Sequence, residues 1–349
     1  MKTILKCSVL MVALLVLWPA TASINFTEKK KEIHKQYSIN TNVLVGVSNQ
    51  FGKVHIESWD KKELDVKIEI IARGRNDEQA QKLLNKINVA IDESSGEIEF
   101  ETDIDGSTHD NESFEINYTI YMNPKNPLEV ENEFGNIFLP KRIGPSEIEL
   151  SYGSLKSLGA EGPFELDLSF GDAEIGALVE AEMEVSYSDL FLTSAKNLSL
   201  EQKFSKSEME VLGQLDLEMK YGEIQIGRLD KGVFEGHFSE ISIQELDGAL
   251  ELEGNYLSKF SIKKLKKTFT ELEVSGQFSR YEIALEQGLS ANIYAEFSYA
   301  DMDYGDVDID FYYRGVEDTA KEYKGYINGG DSNKNIRVTS SYGNLKLSQ

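Results

Sequence analysis

Cysteine is almost missing from this chain. Its single copy, Cys7, sits near the start, so the rest can form no disulfide and do no thiol chemistry. Proline is scarce, with six copies, which argues against a disordered Pro-rich linker. The four histidines, His34, His55, His109 and His237, share no metal-ligand spacing. Val9–Trp18 is too short for a comfortable membrane span, and no second apolar run is long enough to cross a membrane as a helix. Positive charge is also short: 36 Lys and Arg stand against 60 Asp and Glu, a net charge of −24. That balance argues against nucleic acid and against docking on anionic lipid, and it favours solubility and cationic partners.

What is present is a period. An aromatic residue returns every 17 or 18 residues at Phe134, Tyr152, Phe170, Tyr187, Phe204, Tyr221, Phe238 and Tyr256. The series continues with wider gaps at Phe278, Tyr299 and Tyr342, and an isolated copy lies at Phe51. A short fixed period marks a stacked repeat. With the aromatic as position 0, positions −4 and −2 are usually apolar, as in Leu166 and Leu168 or Leu217 and Met219. Positions +3 and +5 are apolar again, as in Ile224 and Ile226. Period-two alternation means strands with one buried face, and the phase change across the aromatic requires a corner.

Position +1 is Gly or Ser in ten of the twelve copies, which suggests a glycine adopting positive φ at that corner. This reading turns the aromatic inward, into an internal ladder, and Tyr221→Ala would then cost about 3–5 kcal/mol. Replacing the outward Lys220 would do little. Phe204 and Tyr256 are each followed by a one-residue slip in the apolar pattern, which reads as a bulge.

One such unit cannot bury its own face, whereas a stack of them can. The expected fold is therefore all-β: a parallel β-solenoid, or β-helix, with rungs of 17–18 residues. Ten registers from Phe134 to Tyr299 give a length on the order of 45 Å. The competing architecture is an antiparallel β-meander or sandwich with the aromatic–Gly sites as hairpin turns. A membrane barrel needs strands of roughly 9–11 residues, longer than these runs.

The ends differ from the middle. Met1–Ala22 has the form of a secretory signal peptide: Lys2 and Lys6, the apolar stretch, then Ala20-Thr21-Ala22. Its removal leaves the exported chain at −26 with no transmembrane segment. Residues 23–128 read as a β-rich N-terminal cap with strands at 43–47, 54–56, 64–71, 97–102 and 114–122. One helix, about 76–88, is capped by Asn76 or Asp77 and carries an Ala80, Leu83, Leu84, Ile87 stripe. Residues 129–310 are the repetitive solenoid, and 311–349 a C-terminal loop with a capping rung.

Two constellations could carry chemistry. Position −3 is acidic in Glu131, Glu149, Asp167, Glu184, Glu201, Glu218, Glu235 and Glu253. Stacking would align these outward, each pair costing roughly 0.9 kcal/mol in water before screening. Such a face either keeps the solenoid soluble or meets divalent cations or a basic protein. Asp301, Asp303, Asp306, Asp308 and Asp310 are oxygen-rich calcium candidates, although their spacing fails as an EF-hand. The polar −1 row, including Ser151, Ser169 and Ser186, lacks a recurring partner for nucleophilic catalysis. Tyr312 and Tyr313 could stack on sugars or seal an edge. Lys263, Lys264, Lys266 and Lys267 form the one notable cationic run.

The signal peptide, Asn49-Gln-Phe-Gly-Lys-Val-His-Ile-Glu, the Phe-Gly-Asp-Ala-Glu-Ile repeats and the closing Ser341-Tyr-Gly-Asn-Leu-Lys-Leu together resemble the "putative adhesin" β-solenoid family. Members are uncharacterised bacterial cell-envelope proteins. The resemblance covers most of the chain after the signal peptide. It implies a right-handed stack and an envelope location, and it transfers no catalytic residue. The expectation is a non-enzymatic protein, periplasmic, cell-surface or secreted, acting as a structural or interaction scaffold through acidic faces. Its partner would be an envelope or extracellular protein or a polysaccharide. The alternative is a carbohydrate-binding or carbohydrate-active β-helix, which needs a groove where acids and aromatics from different registers converge.

Overall fold

The structure is a computed structural model that describes residues 26–94, 96–106 and 112–349. The signal-peptide segment, Cys7 and His109 lie outside the described residues.

Alternating apolar residues form strands here because only neighbouring rungs can cover them. The runs Asp172–Ser186, Asp189–Lys203, Lys206–Lys220 and Glu223–His237 pair in parallel, each with the next, in unbroken register. Leu166, Met183, Leu200 and Leu217 thereby become one buried column. The fold is the parallel β-solenoid, not the antiparallel meander. Its core is a continuous file of aliphatic side chains. A small cavity or polar intrusion in one rung is therefore felt by both neighbours.

The corners are built differently from the expectation drawn from sequence. The aromatic, not the glycine, takes the left-handed conformation: φ is 55° at Tyr152, 54° at Phe170 and 56° at Tyr221. Its ring points out. Tyr221 is 48% exposed and Phe170 48%, so the ladder is external. Position +1 is the residue that faces the neighbouring backbone. A Cβ on Gly153 would lie 1.8 Å from the Gly135 carbonyl oxygen, and one on Gly171 would lie 2.4 Å from that of Gly153. Gly is needed there for close approach, not for φ. Serine in this place contributes its hydroxyl. Ser205 Oγ accepts the Ser188 N–H at 3.0 Å and donates to the Lys203 carbonyl at 2.8 Å.

The slip after Phe204 is not a bulge. The register from Asp189–Lys203 to Lys206–Lys220 is unbroken, and Ser207 fills the inward slot. Its hydroxyl bonds buried Gln202 Oε1 at 2.5 Å, and Gln202 Nε2 reaches the Ser205 carbonyl at 2.7 Å, so the polar pair satisfies itself. After Tyr256 there is a true extra residue, placed at the corner. Leu257 turns inward, and glycines make room for it: a Cβ on Gly254 would lie 2.5 Å from Leu257 Cδ1.

Both ends switch to antiparallel pairing. At the N-terminal end, β1 (Thr27–Ser38), β2 (Leu44–Gln50), β3 (Val54–Ser58), β4 (Glu63–Gly74), α1 (Asp77–Lys86), β5 (Ile87–Glu93), β6 (Glu97–Ile104) and β7 (Ser113–Met122) form the closure. β2 and β3 make the first aromatic rung around Phe51; β6 and β7 pair with them in parallel from outside. β4 pairs antiparallel with β7, and β1 with β4. α1 is capped by the Asn76 side chain on the Gln79 N–H at 2.9 Å, and Ala80, Leu83 and Leu84 bury its apolar stripe. Residues 27–38 carry too many charged or polar positions to stand out as a strand in the sequence, whereas Ile87, expected in the helical stripe, is instead the first residue of β5.

At the far end, residues 335–348 are not the terminal rung. Asn335–Ser341 pairs in parallel with Glu271–Gln277 on one side and with Ala291–Ser298 on the other. The chain passes on to its outermost rung and then returns to fill the gap beneath it. Residues 309–327 are a hairpin, not a loop, and Ala320–Ile327 pairs antiparallel with Ala291–Ser298 to close the stack.

The ladder makes a testable prediction. A left-handed conformation costs a non-glycine residue about 1–2 kcal/mol. Tyr221→Ala loses the ring and keeps that cost; Tyr221→Gly loses the ring and sheds it. Gly is therefore expected to be the milder change by about 1 kcal/mol, read from urea midpoints. Equal midpoints, or a milder alanine, would contradict this corner geometry.

Candidate functional site

The first candidate surface is the acidic column. Register places Glu131, Glu149, Asp167, Glu184, Glu201, Glu218, Glu235 and Glu253 on successive rungs, each beside the next. A second column at −5 adds Glu129, Glu147, Glu165 and Glu182. All alternate with buried side chains, so all face solvent.

Compensation is uneven along the column. In the rungs of Phe204, Tyr221 and Phe238 the −1 position carries a cation or histidine. Lys203 pairs with Glu201, Lys220 Nζ lies 2.8 Å from Glu218, and His237 Nε2 lies 3.0 Å from Glu235. In the earlier rungs −1 is Glu133, Ser151, Ser169 or Ser186, and among the described residues the eight −3 and −5 carboxylates from Glu129 to Glu184 form no ion pair; Glu131 accepts the Ser48 hydroxyl at 3.0 Å, and Glu184 feels the Lys203 charge of the next rung. The consequence is electrostatic. Partial burial, then the surrounding Glu131, Asp167 and Glu147 carboxylates, raise the Glu149 pKa. Burial, then Glu147, Glu97, Glu99 and Glu131, raise that of Glu129. Glu218, bonded to Lys220, is lowered. Two shallow depressions of about 400 and 350 Å³ run along the same face, lined by residues such as Asp216, Glu251 and Glu273 and by Glu165, Glu180 and Glu182.

The five aspartates do not converge. Asp301 accepts the Tyr323 hydroxyl at 3.0 Å and the Met302 N–H at 2.7 Å, and it pairs with Lys321. Asp303 accepts the Gly305 N–H at 3.1 Å in a turn. Asp306, Asp308 and Asp310 are exposed. Among the described residues, no three His, Cys, Asp or Glu side chains come together as metal ligands. Two lysines of the Lys263–Lys267 run are tied down, with Lys264 Nζ 3.4 Å from Glu245 and Lys266 Nζ 3.6 Å from Glu286.

The second surface is the external aromatic row. In space the order is Phe51, Phe134, Tyr152, Phe170, Tyr187, Phe204, Tyr221, Phe238, Tyr256, Phe278, Tyr342, Tyr299. Successive rings are parallel, with centroids 4.8–5.1 Å apart. Phe114 closes the N-terminal end edge-on at 5.0 Å. From Phe134 to Tyr342 the row alternates Phe and Tyr without a break, and the returning C-terminal rung supplies the last tyrosine in phase. A shallow groove of about 730 Å³ follows the row, bounded by Phe170, Tyr187, Phe204 and Tyr221 and by Asp172, Asp189 and Lys206. Here aromatics and acids from different registers converge. The sequence held a signal for the outward rings: Gly or Ser at +1 is the size limit of a residue facing backbone.

No known family profile matches the chain, and no curated protein matches it. Among solved structures it is similar to a putative cell adhesion protein from Clostridium sporogenes, at 16% identity and a TM-score of 0.20 over 92% of this chain and 100% of that one. It is similar to a putative adhesin from Parabacteroides distasonis, at 9% identity and a TM-score of 0.34 over 72% and 97%. A putative lipid binding protein from the same organism gives 11% identity and a TM-score of 0.28 over 92% and 97%. At such identities and TM-scores these neighbours do not say what the chain binds.

The unpaired carboxylates give a pH prediction. Raised pKa values at Glu129 and Glu149 mean that the folded state takes up protons before the unfolded state does. Stability should rise as pH falls from neutral toward the top of the carboxylate range. It should drop again at lower pH, where paired acids such as Glu218 and Glu115 lose their partners. Glu149→Gln should raise the melting temperature at neutral pH and flatten the first rise, and high salt should do the same. A melting temperature that falls monotonically from neutral pH would show that the column repels too weakly to matter.

Proposed function

We propose that this is a non-enzymatic, exported interaction protein, a rigid rod that presents its acidic face to a polycationic partner in the cell envelope or outside the cell. The observation that carries the reading is the run of eight in-register carboxylates from Glu129 to Glu184 that form no ion pair among the described residues. Such an array is repulsive on its own, and a partner bearing spaced cations would relieve the repulsion across four rungs at once. The core pays the conformational cost in advance, so the face is already arranged when the partner arrives. Export rests on the signal-peptide form of Met1–Ala22.

Calcium is the competing occupant of the same face. The columns offer carboxylates without converging backbone carbonyls, and this favours a polycation over a chelated ion.

The test uses the full exported chain and poly-L-lysine. Saturable binding is expected, weakening steeply with salt. Glu149→Gln, Asp167→Asn and Glu184→Gln together should weaken it strongly. Glu201→Gln, Glu218→Gln and Glu235→Gln together should weaken it less, because Lys203, Lys220 and His237 already offset those acids. Equal losses in the two triple variants, or no saturable binding, would remove the reading. A calcium-dependent rise in melting temperature that saturates and vanishes in the first triple variant would replace the polycation with the ion.

A further inference from the structure

We propose that the external aromatic row binds a neutral, extended β-1,4-linked glycan laid parallel to the solenoid axis. This surface is separate from the acidic face and does not depend on it.

The argument starts from what the rings can still touch. Each ring lies parallel to its neighbours at about 4.9 Å, with interplanar angles of 2–11°. Their faces are covered by one another. Face-on stacking of a sugar and cation–π contact with a basic partner are both blocked. What remains is a straight ribbon of ring edges, roughly 50 Å long. Aromatic edges carry the positive part of the ring quadrupole, so they attract oxygen lone pairs. A ligand rich in neutral oxygen fits; a cation does not.

The hydroxyls set the period. Tyr152, Tyr187, Tyr221, Tyr256 and Tyr342 alternate with phenylalanines, so a phenol group recurs every second rung, about 10 Å apart. Among the described residues none of these hydroxyls has a hydrogen-bond partner in the protein. Stacking alone does not call for the alternation, because phenyl and phenol rings pack equally well in such a row. In an extended β-1,4-linked glycan successive sugars are turned by half a revolution, so the chain repeats every disaccharide. Each sugar advances close to one strand spacing. One sugar per rung then brings equivalent hydroxyls to every tyrosine.

Charge agrees. The positions flanking the row, −1 and +2, hold four cations and five acids from Phe134 to Tyr342, the rest being mostly Ser, Asn and Gln. On a chain of net charge −24 this strip is close to neutral and dense in hydrogen-bonding groups. The groove beside Phe170–Tyr221 supplies Asp172, Asp189 and Lys206 as further partners for sugar hydroxyls.

The experiment is calorimetric titration of the full exported chain with cellotetraose, cellohexaose and chitohexaose, with maltohexaose as the α-1,4-linked control. The β-1,4-linked hexamers should bind, more tightly than the tetramer, and with little salt dependence. Maltohexaose, which coils, should not. The double variant Tyr187→Phe, Tyr221→Phe keeps every ring, every stacking contact and the backbone, so it should fold as the parent does. It should weaken hexamer binding roughly tenfold through two lost hydrogen bonds. The proposal is overturned if no β-1,4-linked hexamer binds at millimolar concentration, or if the double variant binds as the parent does. It is also overturned if sedimentation shows that the row is covered by a second copy of the chain, in a dimer that Phe204→Lys dissociates.

Discussion

In-register parallel stacking is the constraint on which everything else in this molecule depends. Once each rung sits one strand spacing above the last, a position in the repeat becomes a column in space. Like side chains are forced to be neighbours, and their chemistry decides whether that helps. Apolar columns such as Leu166, Met183, Leu200 and Leu217 gain from it. Flat rings gain from it as well, by about 0.5–1.5 kcal/mol per contact, which offsets the left-handed backbone each ring must adopt. Carboxylate columns lose, and the structure accepts the loss because their side chains reach water. The same geometry that makes the core continuous thus makes one face repulsive and another adhesive.

A stack open at both ends would expose strand edges ready to pair with other chains. Both ends are closed by turning the chain antiparallel. β1 then presents the outer N-terminal edge, and it carries Lys29, Lys30, Lys31 and Lys35, residues that discourage edge pairing. Inside that end, buried asparagines replace leucines. Asn49 Nδ2 donates to Asn132 Oδ1 at 2.9 Å and to the Ile116 carbonyl at 3.2 Å, and Asn132 Nδ2 reaches the Gly52 carbonyl at 3.2 Å. Polar groups at the −2 position are tolerated there because each finds a partner. At the other end, residues 335–348 lock between two earlier rungs. The last stretch of the chain is therefore held on both sides rather than fraying from a free end.

The period, the strands, the parallel stack and the acidic column were legible because each depends on residues that recur at a fixed spacing. The facing of the aromatic was not. Alternation fixes inward and outward residues along a strand but loses its phase at a corner, where two outward residues stand in succession. Apolar character pulled the ring inward in that reading. The size of its neighbour was the better guide, since Gly135, Gly153 and Gly171 are small where they meet backbone. Hydropathy also hid Gln202 and Ser207, which satisfy each other in the core. The placement of residues 335–348 could not be read at all, because an insertion in space leaves no trace in sequence order. Nor could the alternation of Phe and Tyr be seen to run on through Tyr342 until the rungs were put in spatial order.

The rod varies along its length as well as around its sides, and one column sets both. Position −1 lies between the acidic column and the aromatic row. Where it is Ser151, Ser169 or Ser186, the acids beside it stand uncompensated and the row is flanked by hydroxyls. Where it is Lys203, Lys220 or His237, it neutralises the acid of its own rung while leaving the ring stack untouched. The negative potential is therefore interrupted over the three rungs from Glu201 to Glu235 and resumes at Glu251 and Glu253, where −1 is Asn255, whereas the ring spacing is uniform from end to end. A cationic partner of the kind proposed would meet different charge on different rungs of the rod. A polymer following the aromatic row meets the same spacing everywhere and could slide along it by whole two-rung steps. Two surfaces built from one repeat can in this way answer to different physics: one to charge, salt and pH, the other to shape and period.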